Sequence, residues 1–371
     1  MILLLHNRYR APGGEERAVE DLAWLIRAEL GEPAAVIERD SAALGPARAA
    51  AGMLGGGLRP GAIAGAVRRS GARVVHAHNV HPAFGWRALA AAHAEGARVV
   101  LHLHNYRLVC AIGTCFTHGE DCTRCHGRNT LPGVRLNCRG SRAEAVVYGA
   151  SLALWQRRLA AAVDAFVVPS AFALARLREL GAPLGDRAAV IPSVQRSLAP
   201  SSAAATGRFA LAAGRLMPEK GFADAIAACA RAGVPLLVAG DGPQLEKLRA
   251  LGGDVRFVGR VGAGELALLR RRAALAIVPS RYEEILPLAA LEAMAAGLPV
   301  VAARAGGLAE TVPLEGQYEP GDVTGLVARI AALYGSAEAG ERALGLARAR
   351  YAPPVVAASL RAVYGASTAA G

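Results

Sequence analysis

Aromatic residues are scarce in this chain, at 5% of 371 positions, and they do not interleave with the basic ones. Single-stranded nucleic acid is gripped by basic grooves lined with stacking aromatics, so nucleic acid is set aside as a partner. Apolar stretches are many but short, and none reaches the roughly 18 residues that a membrane span needs. No Gly-x-Gly-x-x-Gly follows the first strand candidate, which argues against a dinucleotide-dependent dehydrogenase. Asp-x-Asp is missing as well, so no acidic pair stands ready to bridge a diphosphate through a metal. Lysine is almost absent: 40 of the 42 basic residues are arginine.

What remains is an apolar, basic chain. With 53% hydrophobic and 19% charged residues it has the composition of a globular protein, and its length suits two domains. The opening MILLLHNRYR lacks a basic stretch before its apolar run and a small-residue cleavage site after it. It reads as a first buried strand, and the expectation is a cytoplasmic protein. Six cysteines, five of them between Cys110 and Cys138, are not spread as a secretory disulfide framework and fit a reducing compartment. The net charge of +12 is uneven, since residues 1–200 carry 24 arginines against 15 acids. Such a field attracts phosphate-bearing substrates and anionic lipid; a genome-wide preference for arginine is the alternative source of the charge.

Short Val/Leu/Ile runs alternate with longer Ala/Leu/Arg segments of helical spacing, the pattern of parallel sheets covered by helices on both faces. Strands are expected at 2–5, 35–38, 74–78, 99–104 and 165–168, and again at 209–213, 236–239, 255–258, 275–278 and 299–302. Helices at 223–231, 243–251 and 288–296 fall between strands of the second set. FVVPSAF and AIVPSRY, around Ser170 and Ser280, echo each other as strand ends running through Pro-Ser. A Ser/Ala/Pro-rich stretch at 193–207 reads as a linker. The fold class is α/β, with two doubly wound Rossmann-like domains at 1–195 and 196–350 and a last helix and tail at 351–371 of unassigned packing. Strand carboxyl ends facing across a cleft would place the ligand site between the domains.

The sharpest chemistry lies in the second half. GRLMPEKG sets Arg215 just past a strand and Lys220 at the opening of a helix, a planar fork and a point charge suited to a diphosphate. SRYEEILPLAALEAMAAG then spaces Glu284 and Glu292 as Glu-x7-Glu around Pro287. Pro287 fits a first helical position, which would aim the backbone N–H groups of Ile285, Leu286 and Leu288 at an anion. Glu292, about a turn and a half into that helix, could accept two hydroxyl hydrogen bonds, as from a ribose diol. The bland alternative is an acidic helix start with Glu292 on a solvated face.

GRLMPEKG, AGDGP, the Glu-x7-Glu segment and VVAARAGGLAETV together resemble the retaining glycosyltransferases of family 4, group 1, which have the GT-B fold. The resemblance implies that Arg215 and Lys220 hold the donor diphosphate and Glu292 the ribose. It gives Glu284 the transferred sugar's hydroxyls and sets the base near Arg260. By the same resemblance Gly13 and Gly14, in a loop after the first strand, face donor phosphate and acceptor, and His104 lies near the transferred sugar. Read without it, the Gly-Gly pair is a turn and the histidines at 76, 78, 102 and 104 are strand residues on shared faces, with His76 and His102 structural.

The cysteines run Cys110-x4-Cys115-x6-Cys122-x2-Cys125-x12-Cys138. Cys115, Cys122, Cys125 and Cys138 could hold a structural zinc, with His118 or His126 as a substitute ligand; a buried thiol cluster is the competing reading. Residues 52–73 mix apolar residues with Arg59, Arg68, Arg69 and Arg73, either a loop and an amphipathic surface helix or a peripheral membrane contact. The expected function is transfer of a sugar from a nucleotide diphosphate donor, UDP first, to an acceptor hydroxyl with retention and with no metal or cofactor required. The acceptor classes are a small molecule, a glycan or a lipid-linked sugar. The alternatives are a nucleotide-sugar epimerase of the same fold and a non-catalytic sugar- or polyanion-binding protein.

Overall fold

The structure, a computed structural model, describes residues 1–10, 13–285 and 287–365. The chain forms two compact units, one of Met1–Val194 together with the chain from Pro353 onward, the other of Gln195–Ala352.

The first unit holds β1 (Ile2–Arg8), β2 (Ala34–Asp40), β3 (Val74–Ala77) and β4 (Arg98–His102). A short antiparallel hairpin follows, β5 (Phe116–Thr117) and β6 (Glu120–Asp121), then β7 (Ala165–Val168) and β8 (Ala188–Val190). Its six-stranded parallel sheet runs β2-β1-β3-β4-β7-β8. The strands β3 and β7 are buried along their whole length, which is why they read as apolar runs instead of alternating ones. The helix Gly14–Glu29 turns Val19, Leu22, Ala23 and Ile26 onto Ile2 and Leu4, at the three- and four-residue spacing of one helical face. The last helix, Pro353–Gly365, buries Val356, Ala357, Leu360, Val363 and Tyr364 in that same core, so the chain's final helix belongs to the first unit.

The second unit is built alike from β9 (Ala210–Ala213), β10 (Leu236–Ala239), β11 (Val255–Gly259), β12 (Leu275–Val278), β13 (Val300–Ala303) and β14 (Gln317–Tyr318). The order is β11-β10-β9-β12-β13-β14, again parallel throughout. Each expected strand is present with ends shifted by a few residues, while β8 and β14, three and two residues long, are too short to show in a pattern. Residues 52–73 run from the end of the helix Pro46–Leu54 through a glycine-rich turn into the helix Pro60–Ser70; Arg68 in that helix pairs with Glu95, and Arg73 just past it pairs with Glu32. Among the described residues no helix is long and apolar enough to cross a membrane.

Candidate active site

In the second sheet the strand order reverses at β9, which has β10 on one side and β12 on the other. Ligands of open parallel sheets bind at the strands' carboxyl ends beside such a point. The loops after β9 and β12 are locked together there. Gly221 sits at φ +67°, and a Cβ on it would lie 1.9 Å from the Pro279 carbonyl oxygen, so only glycine lets the two backbones cross. The Arg281 N–H donates to the Glu219 carbonyl at 2.8 Å, and the Gly307 N–H, from the loop after β13, donates to the Glu284 carbonyl at 2.6 Å.

This crossing brings the Lys220 ammonium to 2.6 Å from Glu284 Oε1 and 5.0 Å from the centroid of the Tyr282 ring. Ser280 hydrogen-bonds the same carboxylate oxygen. Glu284 is only 6% exposed, a burial that a carboxylate tolerates when paired and hydrogen-bonded. Burial works against the Lys220 charge, but Glu284 and Tyr282 outweigh it and hold the ammonium's pKa above its usual value. The Tyr282 hydroxyl is pushed up to about 12, first by burial and then by the Glu284 carboxylate. Arg215 is exposed two residues past β9, and Arg260 is exposed just past β11. An anion at this edge therefore meets an exposed guanidinium and a lysine that cannot lose its proton at neutral pH.

Glu292 lies in the helix Leu288–Ala295 and is ion-paired with Arg270, from the end of the helix Ala263–Arg272. Pro287 is the N-cap of that helix, with φ −83° and ψ 99°, one position before the first helical place expected for it; Leu288 is the first helical residue. Leu286 lies outside the described residues. Arg270, Ser280 and Tyr282 are site residues that the motif reading missed. Arg270 hides in the run Arg270-Arg271-Arg272, which resembles a solvated basic face, yet it alone of the three is buried.

In the first unit, Gly13 caps the helix that Gly14 opens, with an ordinary extended backbone. Its N–H donates to Glu16 Oε2 at 2.7 Å, so the helix's own carboxylate occupies this amide. Backbone N–H groups and His6 draw the Glu16 carboxyl down to about 2, against its partial burial. Glu15 beside it has a side chain only 9% exposed, takes a hydrogen bond from the Tyr9 hydroxyl at 2.7 Å, and has its pKa raised by desolvation.

Four imidazoles from β3, β4 and the residues after them form a column. Ring centroids are 4.9 Å apart for His76 and His78, 5.3 Å for His78 and His102, and 4.0 Å for His102 and His104, all stacked. His104 Nε2 and His78 Nδ1 share a hydrogen bond of 2.7 Å, and His76 Nδ1 is 2.7 Å from the Tyr364 hydroxyl. Burial, helped by the neighbouring His6, presses the His104 pKa down to about 3, so the ring is neutral at physiological pH. His104 shares a pocket with Glu15, His78, His81, Asn105 and Arg107. Glu15 and Arg107 were not picked out from the sequence; a double acid directly after Gly-Gly at a helix start was the available signal for Glu15.

All five clustered cysteines, Cys110 as well as Cys115, Cys122, Cys125 and Cys138, line one small pocket of the first unit, and none is in a disulfide. His118 Nε2 is taken by the Leu136 carbonyl at 2.8 Å and His126 packs on Gly181, so neither histidine lines that pocket.

Two six-stranded parallel sheets, each doubly wound, define a GT-B fold. Sucrose-phosphate synthase from Thermosynechococcus elongatus superposes with a TM-score of 0.70 over 98% of this chain and 98% of its own, at 18% identity. HepE of Anabaena, solved in complex with UDP, gives 0.63 over 98% and 99%, at 17% identity. At such identities the likeness is one of fold. More particularly, residues 207–336 match the family of glycosyl transferases group 1, so the second unit carries a group 1 glycosyltransferase domain. Glycogen synthase of Mycobacterium tuberculosis is 41% identical over 153 residues, which are 37% of this chain and 36% of that protein. The chain thus spans about a third of the curated relative it matches.

Proposed function

We propose that the protein is a retaining glycosyltransferase that moves a sugar from a nucleotide diphosphate donor, a UDP-sugar first among them, to an acceptor hydroxyl without a metal. The observation that carries the reading is the meeting of Lys220 and Glu284 beside exposed Arg215 at the switch point of the group 1 domain. When the bond from the anomeric carbon to the phosphate oxygen breaks, its electron pair leaves with the diphosphate. Cations stabilise that charge most where it develops, which is the role of Arg215 and Lys220 in this reading, with Arg260 near the base. Glu284 keeps Lys220 charged and aimed, with its remaining acceptor capacity for sugar hydroxyls; Glu292 takes the ribose.

Retention follows if the acceptor oxygen bonds the anomeric carbon from the face the phosphate leaves, its proton passing to the departing phosphate oxygen. His104, neutral in its column, is a hydrogen-bonding group for the sugar and not a cation. HepE, of the same fold, binds UDP, which supports the choice of nucleotide. The acceptor is a small molecule, a glycan or a lipid-linked sugar. Calorimetric titration with UDP, GDP and ADP, in EDTA throughout, tests the reading. Micromolar binding of one nucleotide supports it; binding of none returns the chain to the polyanion-binding alternative, and epimer release without acceptor would make it an epimerase.

A further inference from the structure

The segment between Asn105 and Arg142 has very little regular structure to hold it. It contains the hairpin β5–β6 and the five-residue helix Leu131–Arg135, and otherwise turns, several of them left-handed: Gly113 at φ 93°, Cys115 at 52°, His118 at 54°, Gly119 at 87° and Asn137 at 48°. A stretch of this kind cannot bury enough apolar surface on its own and is ordinarily fastened by cross-links or a metal. Here the turns carry five of the chain's six cysteines to a single pocket, all as free thiols.

Backbone contacts bring the cysteines to this pocket. The Cys122 N–H donates to the Cys115 carbonyl at 2.7 Å, closing the hairpin and setting Cys122-x2-Cys125 at the pocket's edge. The Gly113 N–H points at Cys110 Sγ at 3.4 Å, an N–H···S contact that stabilises a sulfur carrying negative charge. Helix Leu131–Arg135 presses in at Gly133, where a Cβ would lie 3.4 Å from Cys125 Sγ, and the Cys138 N–H returns to the Gly133 carbonyl at 3.1 Å. Along the sequence the segment carries five arginines, from Arg107 to Arg139, against Glu120 and Asp121, an excess of positive charge that suits a four-thiolate metal centre of net charge −2.

We propose that this pocket is a structural zinc site with Cys110, Cys122, Cys125 and Cys138 as its four ligands and Cys115 as a thiol neighbour. The sequence spacing alone favoured Cys115 over Cys110. Our assignment takes Cys110 instead, because its sulfur receives the Gly113 N–H at 3.4 Å, and it leaves Cys115, which lines the same pocket, as the fifth thiol. Four thiols release four protons to solvent as zinc binds, and the tetrahedral, closed site fastens the two ends of the segment to each other. Thiolate sulfur selects zinc over the hard cations magnesium and calcium.

The histidines form a second cluster, in which one ring nitrogen each of His76, His78 and His102 lies within 4.8 Å of the others. Two of these rings already spend a nitrogen elsewhere, His76 Nδ1 on the Tyr364 hydroxyl and His78 Nδ1 on His104 Nε2. Cysteine substitutions separate the two clusters: zinc that survives loss of the thiols would sit on the histidines and overturn the proposal.

The test is metal analysis of the full-length protein purified without chelator from zinc-supplemented cells, with cobalt substitution as a second readout. Expected are about one zinc per chain and, after exchange, the intense thiolate-to-cobalt charge-transfer absorption of a four-sulfur tetrahedral site. Cys122→Ser and Cys110→Ser should each lose the zinc, whereas Cys115→Ser and Cys229→Ser, the latter in the second unit, should keep it. If the ligand variants fail to fold, cobalt titration of the wild-type chain decides alone. Loss of zinc in Cys115→Ser with retention in Cys110→Ser would overturn the assignment of Cys110. Metal-free protein that titrates all six thiols when unfolded, a disulfide among the five pocket cysteines, or a brown protein containing iron and sulfide would overturn the zinc site itself.

Discussion

Lys220 and Glu284 are 64 residues apart and follow different strands, yet their side chains meet at 2.6 Å because the fold puts β9 and β12 side by side. Both side chains are largely buried, at 19% and 8% exposure. Glu284→Gln leaves the ammonium buried without its counter-charge, and such losses cost about 3–5 kcal/mol. Urea unfolding of the Glu284→Gln variant should show a destabilisation of that size. The double variant Lys220→Met/Glu284→Leu should recover much of the stability and none of the UDP affinity. Recovery of both would separate the pair from the donor site.

Arg215 is exposed, so Arg215→Ala should change stability by no more than about 0.5 kcal/mol. Its effect should fall on nucleotide binding, with UDP affinity reduced about tenfold or more and uridine affinity unchanged. Equal losses for UDP and uridine would place Arg215 away from the phosphates.

For Glu292 the ribose assignment is checked by a thermodynamic cycle. The wild-type protein should bind 2′-deoxy-UDP more weakly than UDP, and Glu292→Gln should no longer discriminate between the two. Because Arg270 is buried against this carboxylate, the variant should also unfold at lower urea concentration. Undiminished discrimination in Glu292→Gln would assign the ribose elsewhere.

His104→Ala should depress turnover far more than nucleotide affinity, and His78→Ala, which removes the hydrogen-bond partner of His104, should give a milder form of the same defect. A dead His78 variant beside an active His104 variant would exchange the two roles.

Stability should fall in acid because of the imidazole column. Burial takes the His76 pKa down to about 3 in the folded protein, from an unfolded value near 6.5. Between those values the unfolded chain binds the extra proton, so this contribution is complete above about pH 6.5 and is lost progressively as the pH falls toward 3. Denaturation series at pH 7.5 and pH 5 should show the loss, and His76→Phe should flatten the slope by about one proton. An unchanged slope would mean that His76 does not titrate on unfolding.

The strands were legible because each is an apolar run bounded by turn residues, and Arg215, Lys220, Glu284 and Glu292 because their motifs are dense in charge beside glycine and proline. Partners were not legible, since pairing is fixed by strand order. The echo around Ser170 and Ser280 shows the difference. Ser170 caps its helix by accepting the Ala173 N–H at 3.1 Å, while Ser280, in the same Val-Pro-Ser setting, binds the Glu284 carboxylate. Nothing in the shared Val-Pro-Ser distinguishes a cap from a site residue. The histidines showed the complementary limit: period two put them on common faces, but that four of them stack into one column depends on β3 and β4 being neighbours.

The helix Pro353–Gly365 completes the core around Ile2, Leu4 and Val74. During synthesis the first unit therefore emerges first and finishes last. Until its closing helix leaves the ribosome, the first sheet has an apolar face uncovered and His76 lacks the Tyr364 hydroxyl, while the whole second unit is already available to fold.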